Sequence, residues 1–366
     1  MPTPEINFTN FKLLSEKIIN TTQTQVFILT THLGADFDDF SSLVALLDYL
    51  NYLKHSKSLK IETHICLSGE LDQNYLDLTP ESDFFWKDEK FSDFSDYFSD
   101  LSESNSNIIY LSIFGCSDLR RALGNPYTNY IYNLNKESQS FETLSFDHHT
   151  QGETWAKYNF VDDKASSNAE NLLNLLLSIP SYDIQPETAT NLMIGIVDDT
   201  VNFFASSTSS LTHKHAGKLL SLGCDIALVR QISNLKWNTE NLNRLNKLIL
   251  STDFLDTQSF TWSKINNPKS IAVVDCTMDS EIADIFPNEF LDILKVDMVI
   301  MVKANPVNSN NTLSIRCLPQ KSLNAYDLSI HFGGGGHRLA AGANIDNHNT
   351  EWFKGELVQF LKKSQI

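Results

Sequence analysis

The chain has 366 residues, 42% of them hydrophobic and 20% charged, enough for about two ordinary domains, each with its own core. Its formal net charge of −17 excludes broad non-specific attachment to duplex nucleic acid, which relies on Lys and Arg to neutralise phosphates. A small anionic substrate stays compatible with that charge, because bound cations or a few arginines reverse the field locally.

The first residues, "MPTPEINFTNFKLL", lack the basic patch and apolar stretch of a signal peptide. Apolar runs such as "VDMVIMV" fall far short of the roughly 20 residues that span a bilayer. Cys66, Cys116, Cys224, Cys276 and Cys317 are scattered and never form a CxxC pair. That pattern reads as reduced, buried thiols rather than disulfides or a zinc site. The expectation is a cytoplasmic protein that does not engage a membrane.

In chain order, "QVFILTTHL" reads as a strand and "DDFSSLVALLDYLNYLKH" as an amphipathic helix, followed by strands at "LKIETHICL" and "NIIYLSIFG" and another ending in "FETLSFDHH". Strand–helix alternation favours a parallel sheet in an α/β domain. Residues 70–106 interrupt it with eleven acids against Lys87 and Lys90, and with many aromatics, Phe84, Phe85 and Trp86 among them. Such a segment is too aromatic for a plain disordered tail. It is read as an insertion packing on the domain surface, with a lid or partner-binding element as the alternative. "ASSNAENLLNLLLSI" and "TATNLMIGIVDDT" read as helices, and residues 226–254, free of Pro and Gly, as one long helical connector. A second α/β unit starts at "KSIAVVDCT" and continues through "DMVIMVKAN" and "NTLSIRCLP" to the glycine run and a C-terminal helix. The expected fold is therefore α/β: an N-terminal parallel-sheet domain over 1–225, a connector over 226–254, and a smaller α/β domain over 255–366.

Four places carry chemistry. His32, Asp36 and Asp38 in "THLGADFDDFSS" lie where a strand ends and a helix begins, the usual ligand position in an open parallel sheet. Asp36 and Asp38 are two apart, so extended backbone points both to one side. Asp147, His148 and His149 follow another strand, and Asp198 and Asp199 end an apolar segment. Imidazole with several carboxylates suits a pair of divalent ions such as Mn²⁺ better than a structural zinc. The fourth place is "HFGGGGHRLAAG": Gly333, Gly334, Gly335 and Gly336 call for unusual backbone angles or a close approach. With a helix expected after them, their N–H groups would meet an anion, aided by His337 and Arg338.

HxxxDxD, then DHH, then an Asp-Thr after an apolar run, then GGGGHxxAAG resembles the DHH phosphoesterase family with its DHH-associated C-terminal domain. The motifs run from residue 32 to residue 342. The chain looks like the stand-alone members, bacterial oligoribonucleases and 3′-phosphoadenosine-5′-phosphate (PAP) phosphatases; RecJ-like exonucleases and cyclic dinucleotide phosphodiesterases are further relatives. The resemblance implies a Mn²⁺-dependent hydrolase of ester bonds, acting on short oligonucleotides or small nucleotides through water activated by two ions, with Mg²⁺ as an alternative cofactor. It places His32 and Asp36 on one ion, and Asp38, His148 and Asp199 on the other. His149 faces the scissile phosphate and Asp147 orients its neighbours. Arg316 and Gly333–Gly336 with His337 hold the substrate's other phosphate or terminal nucleotide. It also implies a monomer or homodimer with no duplex nucleic acid as partner.

Two departures stand out. The family has an aspartate that bridges both ions in a phrase like "VDCSDLRR", whereas this chain reads "IFGCSDLRR", with Gly115 in that slot. Asp118, Asp39 and Asp198 are the acids considered as substitutes. The family's "DGDAxGS" is here "DFDDFSS". The missing acid motivates an alternative, a degenerate nucleotide-binding protein without turnover, in which Gly115→Asp would raise metal affinity or activity. A cyclic dinucleotide phosphodiesterase is the other alternative.

Overall fold

The computed structural model describes residues 4–32, 36–67, 83–86, 107–116, 119–123, 125–138, 140–149, 155–255, 271–305, 310–318, 324–345 and 349–363. Most of the acidic insertion, and Asp118, lie outside the described residues. The chain divides into two compact units, residues 1–234 and 235–366.

In the first unit, helix α1 (Pro4–Asn20) precedes β1 (Thr24–Thr31), α2 (Phe37–Ser56), β2 (Ile61–Leu67), β3 (Asp83–Trp86) and β4 (Asn107–Phe114). Helices α3 (Leu119–Leu123) and α4 (Asn125–Glu137) lead to β5 (Phe141–Asp147) and β6 (Tyr158–Val161). All neighbouring strands pair in parallel, in the order β3-β2-β1-β4-β5-β6. The chain moves outward from β1 through β2 and β3, then returns to the other side of β1 at β4. The crevice outside the C-terminal ends of β1 and β4 is therefore the topological switch point, where open parallel sheets bind ligands.

The central strands are buried on both faces, as a covered parallel sheet requires. Alternate residues of β4 divide between two cores. Ile109, Leu111 and Ile113 join one apolar cluster with Leu119, Ala122 and Ile131. On the other face, Tyr110 stacks on its β1 partner Phe27 at 4.4 Å, and Phe114 on its β5 partner Phe146 at 4.7 Å. Helices α5 (Asn168–Leu177) and α6 (Pro186–Asp199) pack against α2. Both begin on local signals: Ser167 accepts the N–H of Glu170, and Pro186 opens α6. Helices α7 (Ser210–Ser221) and α8 (Ile226–Ser233) complete the unit.

The stretch expected as one connector helix over 226–254 is instead two helices, α8 and α9 (Thr239–Leu250). Asn234 ends the first, and the Asn238 side chain caps the second by accepting the Asn241 N–H. Absence of Pro and Gly permits a continuous helix without requiring it, and an Asn N-cap starts a new one.

The second unit holds a six-stranded mixed sheet, β11-β12-β10-β9-β8-β7, from β7 (Asp253–Leu255), β8 (Ile271–Asp275), β9 (Met298–Ala304), β10 (Asn311–Cys317), β11 (Gly335–Gly336) and β12 (Ala340–Ile345). Its faces again follow a two-residue period. Ile271, Val273, Ile300 and Val302 pack under α12 (Ala325–His331) and α13 (Thr350–Lys363), with Phe353 and Leu357 in that core. Ala272, Val274, Val299 and Met301 meet Leu245 of α9 and Phe286 and Phe290 around α10 (Ser280–Ile285) and α11 (Glu289–Leu294). All five cysteines are free, four buried and Cys224 half-buried. Among the described residues no helix is long and apolar enough to cross a membrane.

Candidate metal centre and glycine-lined cavity

The C-terminal ends of β1, β4 and β5 deliver His32, Gly115 and Asp147–His149 to one edge of the parallel sheet. Asp36 is not extended alongside Asp38. It is the N-cap of α2, its Oδ1 accepting the Asp39 N–H at 3.0 Å, and Asp38 and Asp39 lie in the first helical turn. The cap starts the helix two residues earlier than an extended reading allows. Successive helical residues differ by about 100° around the axis, so Asp38 and Asp39 point in different directions although both are buried.

The result is two groups. His32, Asp36 and Asp39 bring one ligand atom each within 4.8 Å of one another, and so do Asp38, His148 and Asp199. His32 Nε2 lies 3.0 Å from Asp39 Oδ2, while His148 Nε2 stands 3.6 Å from Asp199 Oδ2 and 4.0 Å from Asp38 Oδ2. The last two gaps exceed a hydrogen bond but suit ligands that share an ion with bonds of about 2 Å.

Charge makes the same point. Among the described residues, no lysine or arginine pairs with Asp36, Asp38, Asp39 or Asp199. Burial, then repulsion from Asp36 and Asp198, pushes Asp199 up to about 7. Burial and the neighbouring acids Asp199, Asp39 and Asp36 hold Asp38 well above the usual carboxylate range. Asp39 is raised by burial too, with His32 partly opposing. Burial, reinforced by His149, lowers His148 to about 4, leaving a neutral imidazole with a lone pair to offer. A cluster of acids that suppress one another's ionisation, with neutral histidines among them, fits a divalent cation.

Asp147 plays a different part. Its Oδ1 accepts the backbone N–H groups of His148 and His149 at 2.8 and 3.1 Å and lies 2.7 Å from His149 Nδ1. That contact turns the His149 ring outward, where its side chain is 60% exposed. Burial alone would raise Asp147, but its bonds to His149 outweigh it and hold the carboxyl below its usual range.

Sequence reasoning missed Asn168. Its backbone N–H and that of Ala169 donate to the two Asp38 oxygens at 2.7 and 2.9 Å, so Asp38 sits on the N-terminus of α5. The Asn168 side chain donates to Asp39 Oδ1 at 3.2 Å and to the Phe146 carbonyl at 3.1 Å. The buried Glu170 braces this turn, accepting from Ser166 N–H, the Thr212 hydroxyl and His215 Nδ1. The signal was the S-x-x-E start in "SSNAE", which marks a helix N-terminus.

The glycine run of the second unit borders a cavity of about 550 Å³. Along β10, Leu313, Ile315 and Cys317 enter the core, while Thr312, Ser314 and Arg316 line the cavity with Lys303 and Gly333–Gly336. The glycines do not open a helix; the strands β11 and β12 come next. The glycine run comes after the C-terminus of α12, and the N–H groups of Gly333 and Gly334 bond the Ile330 and Ser329 carbonyls at 3.0 and 2.8 Å. The expected helix N-terminus is thus a helix C-terminus, whose dipole repels anions, closed by a left-handed glycine at φ +72°. Positive charge comes instead from side chains: Lys303, paired with Asp284 at 2.5 Å, and Arg316, which no carboxylate pairs with among the described residues. A Cβ on Gly334 would lie 2.0 Å from the Gly342 carbonyl oxygen, whereas Gly333 and Gly335 face open space. His337 and Arg338 are exposed on the turn between β11 and β12, outside the cavity wall.

No family model matches the chain. An uncharacterised protein of Mycoplasma pneumoniae is 24% identical over 347 residues, 93% of this chain and 90% of that protein. The bifunctional oligoribonuclease and PAP phosphatase NrnA of Mycoplasma genitalium is 27% identical over 214 residues, 56% of this chain and 61% of that enzyme. Among solved structures, an exopolyphosphatase-related protein of Bacteroides fragilis superposes with a TM-score of 0.71 at 16% identity, covering 98% of this chain and 96% of that one. RecJ of Thermus thermophilus, solved in complex with Mn²⁺, reaches 0.50 at 14% identity, over 98% of this chain and 55% of its own. The motif order, the fold and the sequence relatives agree in their likeness to the DHH superfamily.

Proposed function

We propose that the protein is a metal-dependent phosphoesterase that hydrolyses short oligonucleotides or small nucleotides, of the oligoribonuclease and PAP phosphatase type. The observation that carries this reading is the pair of His–Asp groups at the switch point of the parallel sheet, unneutralised by any lysine or arginine among the described residues. Divalent ions held by His32, Asp36, Asp38, His148 and Asp199, with Mn²⁺ favoured by the donor set and Mg²⁺ an alternative, would supply the Lewis acidity that activates water and polarises the phosphoryl oxygens.

The chain's own residues do the rest. Asp147 holds His149 by Nδ1, which leaves Nε2 to donate to a phosphate oxygen. The hydrogen bond to Asp147 also raises the His149 pKa, so the ring keeps a proton to donate nearer neutral pH. In the second unit Arg316 offers a charge-assisted donor for another phosphate or the terminal nucleotide, with Gly333 and Gly335 leaving the cavity floor open.

The test is product release from di- to pentanucleotides, PAP and cyclic dinucleotides in Mn²⁺ and in Mg²⁺. Mononucleotides or phosphate are expected. Asp36→Asn, which keeps the cap, and His148→Ala should lower kcat/KM beyond the roughly 10- to 100-fold that loss of an outer partner costs. Absence of product from every substrate defeats the reading, and thermal stabilisation by nucleotides without turnover would replace it with nucleotide capture.

A further inference from the structure

Resting on the metal-centre reading, we propose that Asp39 is the carboxylate shared by the two ion positions, and that residue 115 is glycine to leave it room. Gly115 directly follows β4 in the left-handed region, at φ +65°, anchored by its N–H on the Phe146 carbonyl at 2.9 Å. A Cβ built on it would lie 1.8 and 2.1 Å from the two Asp39 carboxylate oxygens and 2.2 Å from Asp39 Cγ. Those separations are far inside van der Waals contact, so the Asp39 carboxylate occupies the space that any side chain leaving β4 at this point would enter. The acid absent from the strand is supplied to the same place by the helix opposite.

The orientation of that carboxylate suits a shared role. Oδ2 lies 3.0 Å from His32 Nε2, on the side of the first group. Oδ1 accepts from the Asn168 side chain at 3.2 Å, and the Asn168 backbone N–H donates at 2.7 Å to Asp38 of the second group. Asp39 is only 3% exposed, and no lysine or arginine neutralises it among the described residues. A buried carboxylate held by a neutral amide on one side and an imidazole on the other keeps electron pairs available for cations. Asp36 makes the placement possible, because its cap on the Asp39 N–H fixes the helical turn that sends Asp38 toward α5 and Asp39 toward β4.

The experiment counts Mn²⁺ by calorimetry and reads magnetic coupling of the ions by electron paramagnetic resonance, in four proteins: wild type, Asp39→Asn, Gly115→Asp, and Asp39→Ala combined with Gly115→Asp. Melting temperatures in chelator give a metal-free readout of the steric claim. Wild type should hold a coupled pair. Asp39→Asn, nearly isosteric, should lose the coupling and weaken one ion by about tenfold or more. Gly115→Asp alone should melt lower in chelator and bind Mn²⁺ no more tightly. The double variant should regain both the coupled pair and the melting temperature, since aspartate tolerates left-handed backbone better than most residues.

A coupled pair of unchanged affinity in Asp39→Asn overturns the proposal. So does Gly115→Asp that is as stable as wild type and binds Mn²⁺ more tightly, or wild type that holds a single ion. Wild type with a coupled pair but no turnover of any nucleotide would sink the proposed activity and leave the role of Asp39 standing.

Discussion

At the edge of the parallel sheet, four aspartates and two histidines crowd together so closely that burial and mutual repulsion hold Asp38, Asp39 and Asp199 above the ordinary carboxylate range. On the mixed sheet, Arg316 and Lys303 look into a wide cavity with glycine on its floor. The first region is half-buried and anionic, a donor set that suits cations. The second is open and carries a guanidinium that no carboxylate among the described residues answers, so it invites an anion. In a protein of net charge −17, a phosphate substrate finds favourable potential only where cations collect, and the two regions provide that in different ways.

That contrast breaks most sharply at Arg316. Replacing it with Gln removes a charge-assisted donor, an interaction of about 1.5–3 kcal/mol, so KM should rise roughly 10- to 100-fold with kcat changed less. Mn²⁺ binding should stay as in wild type. Steady-state kinetics beside metal titration checks both, and lost Mn²⁺ binding would mean that the two regions are not separate in function.

Within the cavity, the glycines divide by what lies over them. Gly334→Ala drives a methyl into the Gly342 carbonyl and Ala343, an overpacking that should cost about 1–3 kcal/mol or more. Gly335→Ala meets open space and should stay within about 0.5 kcal/mol of wild type. Chemical denaturation distinguishes them, and equal losses would remove the division.

The smallest effect is on pH. Asp199 has a folded pKa raised to about 7, Asp38 is raised in the same direction, and His149 is raised above 6.5. Each binds protons more readily in the folded state, so each contributes stability that is lost as pH rises through its folded pKa. His148, lowered to about 4, acts oppositely, but only below about 6.5, where its unfolded form titrates. In chelator the melting temperature should therefore fall between about pH 6.5 and 8, and Mn²⁺ should abolish the fall. A chelated protein whose melting temperature rises over that window contradicts the anionic centre.

Much of the fold was legible because its signals are local. The β4 run "NIIYLSIF" and its neighbours alternate with capped helices, and Ser167, Pro186 and Asn238 mark helix starts wherever they fall in space. The break at 234–238 was missed because an uninterrupted polar–apolar pattern does not reveal where one helix stops packing and another begins. The glycine run was placed at the wrong end of a helix for a related reason. Four glycines announce unusual backbone, but whether they follow α12 or precede a new helix depends on β11 and β12 pairing at Gly335–Gly342.

The residue types were legible in one dimension: His32 and His148 follow β1 and β5, Asp36 and Asp38 open α2, Asp199 ends α6, and imidazole among several carboxylates suits divalent ions. It takes the folded chain to show that Gly115 and Asp39, two separate departures in sequence, share one space, the Asp39 carboxylate filling the room a side chain at 115 would need. The tertiary structure alone placed Asn168 between Asp38 and Asp39. A missing carboxylate is visible in one dimension, but what fills its volume depends on the packing of α2 against β4 and α5, and packing is a property of three.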